Sequence, residues 1–395
     1  MRITILAGLL ALLSTALAAP PAAADFPACK AELKRAAVKA GVDAGIAARA
    51  LDQVEPDEKV LAASQAQPEF TIPIWDYLAL LVDDARIADG RAKLAEHDAL
   101  LRQAEARFGV DRHVIAAVWG VETDYGREAG RNFLPRALAT LACLGERRRD
   151  FWRGELIAAL ELVDRGDLPL DELYGSWAGA FGQTQFIPST YRRLAVDFDG
   201  DGRRDLVNSV PDALGSTANY LKQAGWRSGE PWLIEVKLPP GYGGPSGRKD
   251  KAPLSTWTKR GVTRADGASL SGERQAGLLL PAGPVGPGFL VFRNFDAIYS
   301  YNAAESYALA ISHLADRLAG YPAFRTPWPT DDPGLSRAER LELQHLLIAR
   351  GHDIGEPDGR IGPLTRAAIK AAEAELGMPE SGRAGRKIYR ALKGE

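Results

Sequence analysis

The chain has 395 residues, of which 46% are hydrophobic and 25% are charged, and this composition is typical of a globular protein with two or three domains. The formal net charge of −2 gives no reason to expect a nucleic acid as partner, because nucleic-acid-binding proteins usually present a strongly basic face. The sequence contains neither a Walker loop nor a GxSxG turn. The histidines are scattered without a zinc-binding spacing; they are His97, His113, His313, His345 and His352.

Residues 1–24 predict a secretory signal peptide. Arg2 precedes the apolar run ILAGLLALLSTALA and the small residues of APPAAAD, so cleavage is expected after Ala24 or Ala18. A transmembrane anchor is the alternative, but the apolar run is shorter than the ~20 residues that a spanning helix needs. FPAC around Cys29 is a poor lipidation signal, and no later run is long enough to span. We therefore expect an exported protein without a lipid anchor; its periplasmic location is implied only by the family resemblance given below.

The chain contains two cysteines, Cys29 and Cys143. In an exported protein an even number of cysteines suggests a disulfide, which here would join the first mature residues to the middle of the chain. Two separate buried thiols are the alternative, and the spacing alone does not decide between them.

Composition divides the chain into a long helical part, a β-rich part and a short helical end. Apolar residues recur at helical spacing up to about Gln223, with Gly109 and Gly166 placed as C-caps. Short β-rich segments broken by Gly and Pro then predict an insertion at about residues 230–293. We expect a domain over residues 25–321, a Pro-rich linker over 322–334 and a separate domain over 335–395.

The last domain reads as helix, Gly-rich loop, helix, short loop and helix. Leu341, Leu343, Leu346, Leu347 and Ile348 dominate the first of these helices. Through LQHLL, GHDIGEPDGRIGPLTRAAI and LGMPESG the segment resembles the type 1 peptidoglycan-binding domain. That family usually has an aromatic residue and a Gln where this chain has Ala372 and Glu373, which weakens any assignment of ligand-gripping residues. A helical tail used only for packing is the alternative.

The stretch HVIAAVWGVETDYG predicts a helix with a carboxylate on its apolar side. Val114, Val118, Val121 and Tyr125 form one stripe at helical spacing, and Glu122 falls on the same stripe. Burial there would favour the protonated, proton-donating form of Glu122. A structural carboxylate bonded to a backbone N–H is the alternative. His113, at the start of this helix, is interpreted as a cap or surface residue.

DFDGDGRRDLVN resembles an EF-hand loop, in which oxygen ligands alternate and a Gly allows the tight turn. Asn208 replaces the usual bidentate Glu at the twelfth position, so Asp212 is the nearest substitute. We expect weak binding of calcium or sodium, in a structural role. An Asp/Gly-rich turn without an ion is the alternative. The candidate ligands are Asp197, Asp199, Asp201, Arg203 through its backbone carbonyl, Asp205 and Asp212.

GSWAGAFGQTQFIPSTY places Trp177, Phe181 and Phe186 beside the amides of Gln183 and Gln185. Aromatic faces and amides suit a carbohydrate, whose ring has an apolar side and polar substituents. Taken alone, the segment fits helix packing equally well.

Three stretches together resemble the lytic murein transglycosylase B family, glycoside hydrolase family 103. They are WGVETDYG, SWAGAFGQTQFIPSTYRRLAVDFDGDGRRDLVNSVPDALGSTANYLKQAGW and YSYNAAESYALAI, and the resemblance covers about residues 26–320. It implies a mainly α fold (α+β) with a lysozyme-like helical catalytic domain and a β-rich insertion. The type 1 peptidoglycan-binding domain that follows agrees with this resemblance.

The resemblance implies that Glu122 acts alone, first as acid and then as base. It would protonate the oxygen that links N-acetylmuramic acid to N-acetylglucosamine, and the muramic C6 hydroxyl would then close a 1,6-anhydro ring without water. Asp124 receives no catalytic role, because two residues further along a helix it would point away from Glu122.

The resemblance also implies cleft residues, carried over one at a time. Asn302 would hold the acetamido group or Glu122, and Arg147 and Arg148 would lie near the muramic carboxylate or the peptide stem. A solvated basic run is the alternative for the two arginines. The full substrate-binding set is Ser176, Gln185, Tyr220, Tyr301, Asn302, Arg147, Arg148 and, from spacing alone, Tyr77.

The expected enzyme is an exported peptidoglycan lytic transglycosylase that needs no cofactor and acts as a monomer on glycan strands. Cell-wall synthesis or division proteins are its expected protein partners. Two alternatives stay open: a muramidase that hydrolyses the same bond, and an inactive wall-binding scaffold.

Overall fold

The structure is a computed structural model that describes residues 26–65 and 72–395. The predicted signal peptide, residues 1–24, lies outside these described residues. The described chain contains 17 α-helices and a five-stranded antiparallel sheet, so the predicted mainly α fold with a small β-rich part is confirmed. Within this described part of the chain, every helix falls short of the length and apolarity that a membrane crossing requires.

The described chain begins with eleven helices that surround two hydrophobic cores. The first seven are α1 (Phe26–Lys39), α2 (Ala44–Leu51), α3 (Glu58–Ser64), α4 (Ile74–Leu81), α5 (Asp84–Glu96), α6 (Asp98–Phe108) and α7 (Arg112–Thr123). The next elements are β1 (Asn132–Phe133), α8 (Leu134–Leu144), α9 (Arg149–Asp164), β2 (Tyr174–Gly175), α10 (Pro188–Leu194) and α11 (Val210–Gln223). One core surrounds α7, and the other joins α1 and α2 to α8 and α9.

Local sequence signals determine where several of these helices begin and end. The side chains of Asp43, Asp57 and Asp111 each accept a hydrogen bond from a first-turn backbone N–H, which satisfies a donor that the helix itself leaves free. Gly109 ends α6 at a φ of 73°, as its position in the sequence predicts. Gly166 follows the last turn of α9 with a φ of 76°.

The β-rich part follows α11 and forms one sheet. Its elements are β3 (Leu233–Lys237), β4 (Ala252–Pro253), α12 (Leu254–Lys259), β5 (Thr263–Arg264), β6 (Gln275–Leu279) and β7 (Gly288–Val291). The strand order is β4-β6-β7-β3-β5, and all pairs are antiparallel. Trp257 of α12 is fully buried against one face, where its indole N–H donates to the carbonyl of Ala276.

Two helices then return to the first core. They are α13 (Arg293–Asn302) and α14 (Glu305–Leu318), and α14 packs directly on α7. The predicted linker does not leave this surface: Phe324 stacks on His313 at 3.8 Å between ring centroids, and Trp328 packs against Trp75 and Phe289. The Pro-rich segment therefore runs along the surface of the first core.

The C-terminal helices are α15 (Arg337–Ala349), α16 (Pro363–Glu375) and α17 (Arg386–Lys393), with a core of their own. Pro363 opens α16, as expected for a residue without an N–H. The buried Glu373 accepts hydrogen bonds from Ser381 Oγ (2.6 Å) and from the backbone N–H of Gly382 (2.8 Å). The glutamate at this unusual position thus holds the turn before α17.

Candidate active site

Glu122 lies in the last turn of α7, a helix that is buried almost all round. Val114 and Val118 are fully buried, whereas Glu122 and Val121 are half-buried. The expectation that Tyr125 shares this helical stripe is wrong, because α7 ends at Thr123. The backbone then turns through positive φ values, and Tyr125 at 59° lies beyond the helix.

The two glycines of WGVETDYG, Gly120 and Gly126, allow the backbone to turn sharply after α7 ends. A Cβ at Gly120 would lie 2.6 Å from Tyr125 Cζ, so only glycine lets the tyrosine ring fold back onto the helix. The Tyr125 hydroxyl then donates to the Arg86 carbonyl at 3.0 Å. At Gly126, with a φ of 90°, a Cβ would lie 2.2 Å from Gln183 Oε1. The motif therefore fixes the end of the helix that carries Glu122.

Tyr307 of α14 is the residue that sequence analysis missed. Its hydroxyl donates to Glu122 Oε1 at 2.5 Å. Burial raises the pKa of Tyr307 well above its usual value, and the charge of Glu122 raises it further, so the phenol stays protonated as a donor. Tyr77 is also close enough to contribute to this shift. Tyr307 lies in YSYNAAESYALAI, one of the three stretches that carry the family resemblance, and this membership is the only sequence feature that points to it.

Three tyrosines form an aromatic wall beside Glu122: the predicted Tyr220 and Tyr301, and Tyr307. Tyr301 stacks nearly parallel to Tyr307, with ring centroids 6.3 Å apart and an interplanar angle of 15°. Tyr220 packs on Tyr301 at 4.6 Å. The Tyr301 hydroxyl donates to the Thr184 carbonyl at 2.7 Å, and burial followed by the Glu122 charge raises its pKa well above its usual value. The structure thus brings predicted Tyr220 and Tyr301 together with Glu122.

Ser176 and Gln185 lie in the loop between β2 and α10. Ser176 Oγ accepts a hydrogen bond from the backbone N–H of Ala180 at 3.1 Å, which tightens the loop. Gln185 has a φ of 53°, and its amide nitrogen donates to the carbonyls of Ala129 and Gly182, each at 3.0 Å. The Ala129 contact ties this loop to the segment that follows α7.

Three predicted substrate residues are exposed. Asn302 ends α13, and Arg147 and Arg148 precede α9. The Arg148 guanidinium lies 3.9 Å from the ring centroid of Phe151 and 5.6 Å from that of Trp152. Arg148 is therefore held against aromatic rings, in contrast to a freely solvated basic run.

The predicted ion-binding loop brings four carboxylates together. Ligand oxygens of Asp197, Asp199, Asp201 and Asp212 lie within 4.8 Å of one another. Burial raises the pKa of Asp212, and the charge of Asp199 adds to this effect. Crowded carboxylates of this kind fit a hard cation with oxygen ligands. Asp205 lies outside this group, and its Oδ1 accepts from the backbone N–H groups of Val207 and Asn208.

The structure joins Cys29 of α1 and Cys143 of α8 by a disulfide with a Cα–Cα distance of 5.8 Å. The bond links two helices of the same hydrophobic core. It closes a sequence separation of 114 residues.

A family model described as a transglycosylase SLT domain matches residues 25–316. The chain belongs to this family. A second model, described as a peptidoglycan binding domain, matches residues 336–392. The resemblance to the lytic murein transglycosylase B family with an added wall-binding domain is thereby confirmed.

Relatives of this SLT-domain protein agree with that membership. The membrane-bound lytic murein transglycosylase B of Escherichia coli is 38% identical over 229 residues, which are 57% of this chain and 61% of the relative. The chain thus spans less than two thirds of that protein. SltB3 of Pseudomonas aeruginosa, solved with NAG-anhNAM-pentapeptide, is 45% identical, with a TM-score of 0.75 over 93% of this chain and 99% of its own.

A third relative bears on the acidic loop. The Escherichia coli lytic transglycosylase Slt35 was solved in complex with calcium. It is 32% identical to this SLT-domain chain, with a TM-score of 0.65 over 75% of this chain and 94% of its own.

Proposed function

We propose that the protein is an exported lytic transglycosylase that cleaves the β-1,4 bond between N-acetylmuramic acid and N-acetylglucosamine in peptidoglycan. The observation that carries the proposal is the half-buried Glu122, held by the Tyr307 hydroxyl at 2.5 Å beside an aromatic wall. A single oriented carboxyl beside sugar-binding surfaces can supply general acid and base catalysis. Family membership and the SltB3 complex with an anhydro-muropeptide support the same activity.

In the proposed reaction Glu122 transfers its proton to the glycosidic oxygen as the bond to muramic C1 breaks. The substrate's acetamido group assists the positive charge that develops at C1. The Glu122 carboxylate then removes the proton from the C6 hydroxyl, whose oxygen bonds to C1 and closes the 1,6-anhydro ring. Glu122 ends the cycle protonated, and no water is consumed.

One carboxylate is enough for this chemistry, and the surroundings of Glu122 support that view. Most glycosidases need a second carboxylate across the scissile bond. Asp124 is the nearest carboxylate in sequence, but it is only 5% exposed and pairs with arginines. It is therefore not free to act on the substrate or to activate a water molecule.

The remaining cleft residues would orient the glycan. We propose that Tyr220 and Tyr301 support the sugar rings, and that Ser176, Gln185 and Asn302 bond their polar groups. Arg147 and Arg148 would face the negative charge of the muramic carboxylate or the peptide stem. Tyr77 would act near Tyr307, whose pKa it influences along with burial and Glu122.

The C-terminal domain and the predicted signal peptide complete the proposal. Residues 336–392 match a peptidoglycan binding domain, so this part would hold the enzyme on its polymeric substrate and raise the local concentration of cleavable bonds. Residues 1–24 would direct the chain to the periplasm. For the four-carboxylate loop we propose a weakly bound calcium ion that stabilises the fold and takes no part in the chemistry.

The test is a digest of purified peptidoglycan with residues 25–395, read by mass spectrometry of the soluble products. The wild type should release muropeptides one water lighter than hydrolytic products, and Glu122→Gln should release none. Glu128→Gln is a matched control, because Glu128 follows on the same exit loop and is exposed. Circular dichroism should show the same fold for all three proteins.

The other outcomes separate the alternatives. Products that carry the added water would establish a hydrolytic muramidase. Sedimentation with the cell wall but no product from the wild type would establish a binding scaffold. Equal activity of Glu122→Gln and the wild type would remove Glu122 from the mechanism.

A further inference from the structure

A buried ion cluster lies directly behind the end of the helix that carries Glu122. Its centre is the carboxylate of Asp124, which is 5% exposed. Asp124 Oδ1 lies 3.4 Å from Arg86 Nε, and Oδ2 lies 3.1 Å from Arg127 Nη1 and 2.7 Å from Arg337 Nη1. Burial alone would raise the pKa of Asp124, but the hydrogen bond from Arg337 and the charges of Arg86 and Arg337 outweigh it and hold the pKa below its usual range.

The shortest of these contacts comes from the other domain. Arg337 is the first residue of α15, in the part that matches a peptidoglycan binding domain. Its helix start is fixed locally, because Ser336 and Glu339 form a reciprocal capping box. The backbone N–H of Arg337 also faces Asp83 Oδ2 at 3.4 Å. The docked domain thus presents Arg337 in a defined position toward Asp124.

Asp124 itself needs support, because its backbone conformation is unfavourable. Asp124 and Tyr125 have φ values of 52° and 59°, in the left-handed region that residues with a side chain seldom occupy. Such a conformation persists only where the surroundings impose it. Glu122 stands two residues before Asp124 in the last turn of α7, so the conformation of this turn sets the direction of its side chain.

A second arginine of the same domain, Arg383, forms an ion pair with Asp76 of α4. Arg383 Nη2 donates to Asp76 Oδ1 at 2.8 Å, and Arg383 Nη1 donates to Asp76 Oδ2. Asp76 is 8% exposed and precedes Tyr77, the residue close to Tyr307. At Gly334 a Cβ would lie 2.6 Å from Asp76 Oδ1, so the approach of the two parts is close.

We propose that Arg337 is a positioning residue, which acts through Asp124 to hold Glu122 in its reactive position, so that the docked C-terminal domain forms part of the active-site scaffold. The inference rests on the proposed function of Glu122. In this arrangement the C-terminal domain contributes to the rate of the chemical step as well as to wall attachment. A domain that only tethers the enzyme would affect binding to the wall and leave the rate on a small soluble substrate unchanged.

The chain offers a matched control for Arg337. Arg360 belongs to the same domain and pairs with Glu128 across the same interface at 3.4 Å, but these side chains are 77% and 56% exposed. Such an exposed pair contributes little. Arg337 reaches Asp124 through one nitrogen, so a lysine ammonium can restore the contact at this site.

The experiment compares wild type, Arg337→Gln, Arg337→Lys and Arg360→Gln, each as residues 25–395. Turnover is measured on a short soluble glycan strand, wall binding by sedimentation with intact sacculi, and folding by circular dichroism and thermal melting. We expect Arg337→Gln to lower kcat by about tenfold, as for a coupled residue without substrate contact, with KM and wall binding within about twofold of wild type. Arg337→Lys should recover most of this loss, and Arg360→Gln should match wild type.

A kcat of Arg337→Gln equal to that of wild type would overturn the inference, as would a loss that only follows the unfolded fraction. A loss confined to sacculus binding would assign Arg337 to attachment. If Arg337→Gln does not fold, an unrestored kcat in folded Arg337→Lys would also count against the inference. Wild-type turnover abolished by Glu122→Gln confirms the underlying function separately, so the failure of one claim is distinguishable from that of the other.

Discussion

Tyr307 donates a hydrogen bond to Glu122 across a sequence separation of 185 residues, at 2.5 Å between the two oxygens. The contact joins α14 to the last turn of α7, two helices that pack against each other in the first core. Because burial raises the pKa of Tyr307, its hydroxyl remains a donor over the whole physiological pH range. The phenol therefore fixes one oxygen of the Glu122 carboxyl at the end of α7.

We predict that Tyr307→Phe lowers kcat by about 10- to 100-fold, since a hydrogen bond to a charged group contributes about 1.5–3 kcal/mol. The phenyl ring keeps the packing against Tyr301, so the melting temperature should change little. Tyr299→Phe is the control, because Tyr299 lies on the neighbouring helix α13, against Arg248. Steady-state turnover on soluble glycan strands gives the answer, and an unchanged kcat for Tyr307→Phe would contradict the assigned role.

The helical period of the sequence predicts much of the local structure around Glu122. It places Val114 and Val118 in the core, and both are fully buried. The prediction fails at Tyr125, because the spacing of apolar residues does not show where a helix ends. The stop depends on the fit between the Tyr125 ring and Gly120, which is a contact in three dimensions.

The sequence also does not predict the long-range contacts at the end of α7, because these too depend on the three-dimensional fold. Tyr307 and Arg337 reach the end of α7 from sites far along the chain, and no spacing rule connects such positions. The sequence predicts Asp124 on the helix, pointing away from Glu122, and therefore assigns it no catalytic role. In the structure it is the left-handed cap at the end of α7, with its side chain turned into an ion cluster.

For the acidic loop we predict that millimolar calcium raises the melting temperature of the wild type. The ion would neutralise the repulsion among Asp197, Asp199, Asp201 and Asp212, and a ligand that binds only the folded state stabilises it. Asp199→Asn should abolish most of the shift. Asp205→Asn should retain it, because Asp205 lies outside the group of four.

Thermal melts with added calcium chloride, and with a chelator as reference, measure this shift. Magnesium should have a weaker effect, since it demands a more regular octahedral site. A wild-type melting temperature that ignores calcium, or an equal shift in Asp199→Asn, would remove the proposed ion from this loop.

We predict that loss of the disulfide destabilises the helical core around α8 and leaves the active-site geometry in place. The bond closes 114 residues, and removing a native disulfide typically costs about 2–5 kcal/mol. Cys143 is 1% exposed, so the double variant Cys29→Ala, Cys143→Ala avoids burying a new hydroxyl. Urea unfolding should show the loss, and reduction of the wild type should reproduce it. Equal stability of both proteins would contradict the prediction.

Asp316 of α14 has a half-buried carboxyl beside the β-rich part. Burial raises its pKa to about 7, Asp111 adds to the shift, and the indole N–H of Trp232 donates to Asp316 Oδ1 at 3.0 Å. The folded state therefore holds the proton more tightly than the unfolded state. The stability linked to this proton is fully present below pH ~4 and is lost as the pH rises to about 7, at up to about 1.4 kcal/mol for each pH unit.

Asp316→Asn removes this dependence, because the amide stays neutral and its oxygen can still accept from Trp232. The variant should match the wild type near pH 4 and exceed it at pH 8 by roughly 2–4 kcal/mol, the free energy that ionisation of the half-buried carboxyl costs the wild type. Urea unfolding of both proteins between pH 4 and 8 measures the difference, with Asp171→Asn as an exposed control that should show none. A variant less stable than wild type at pH 8 would mean that the Asp316 carboxylate is compensated by its surroundings and is ionised in the folded protein.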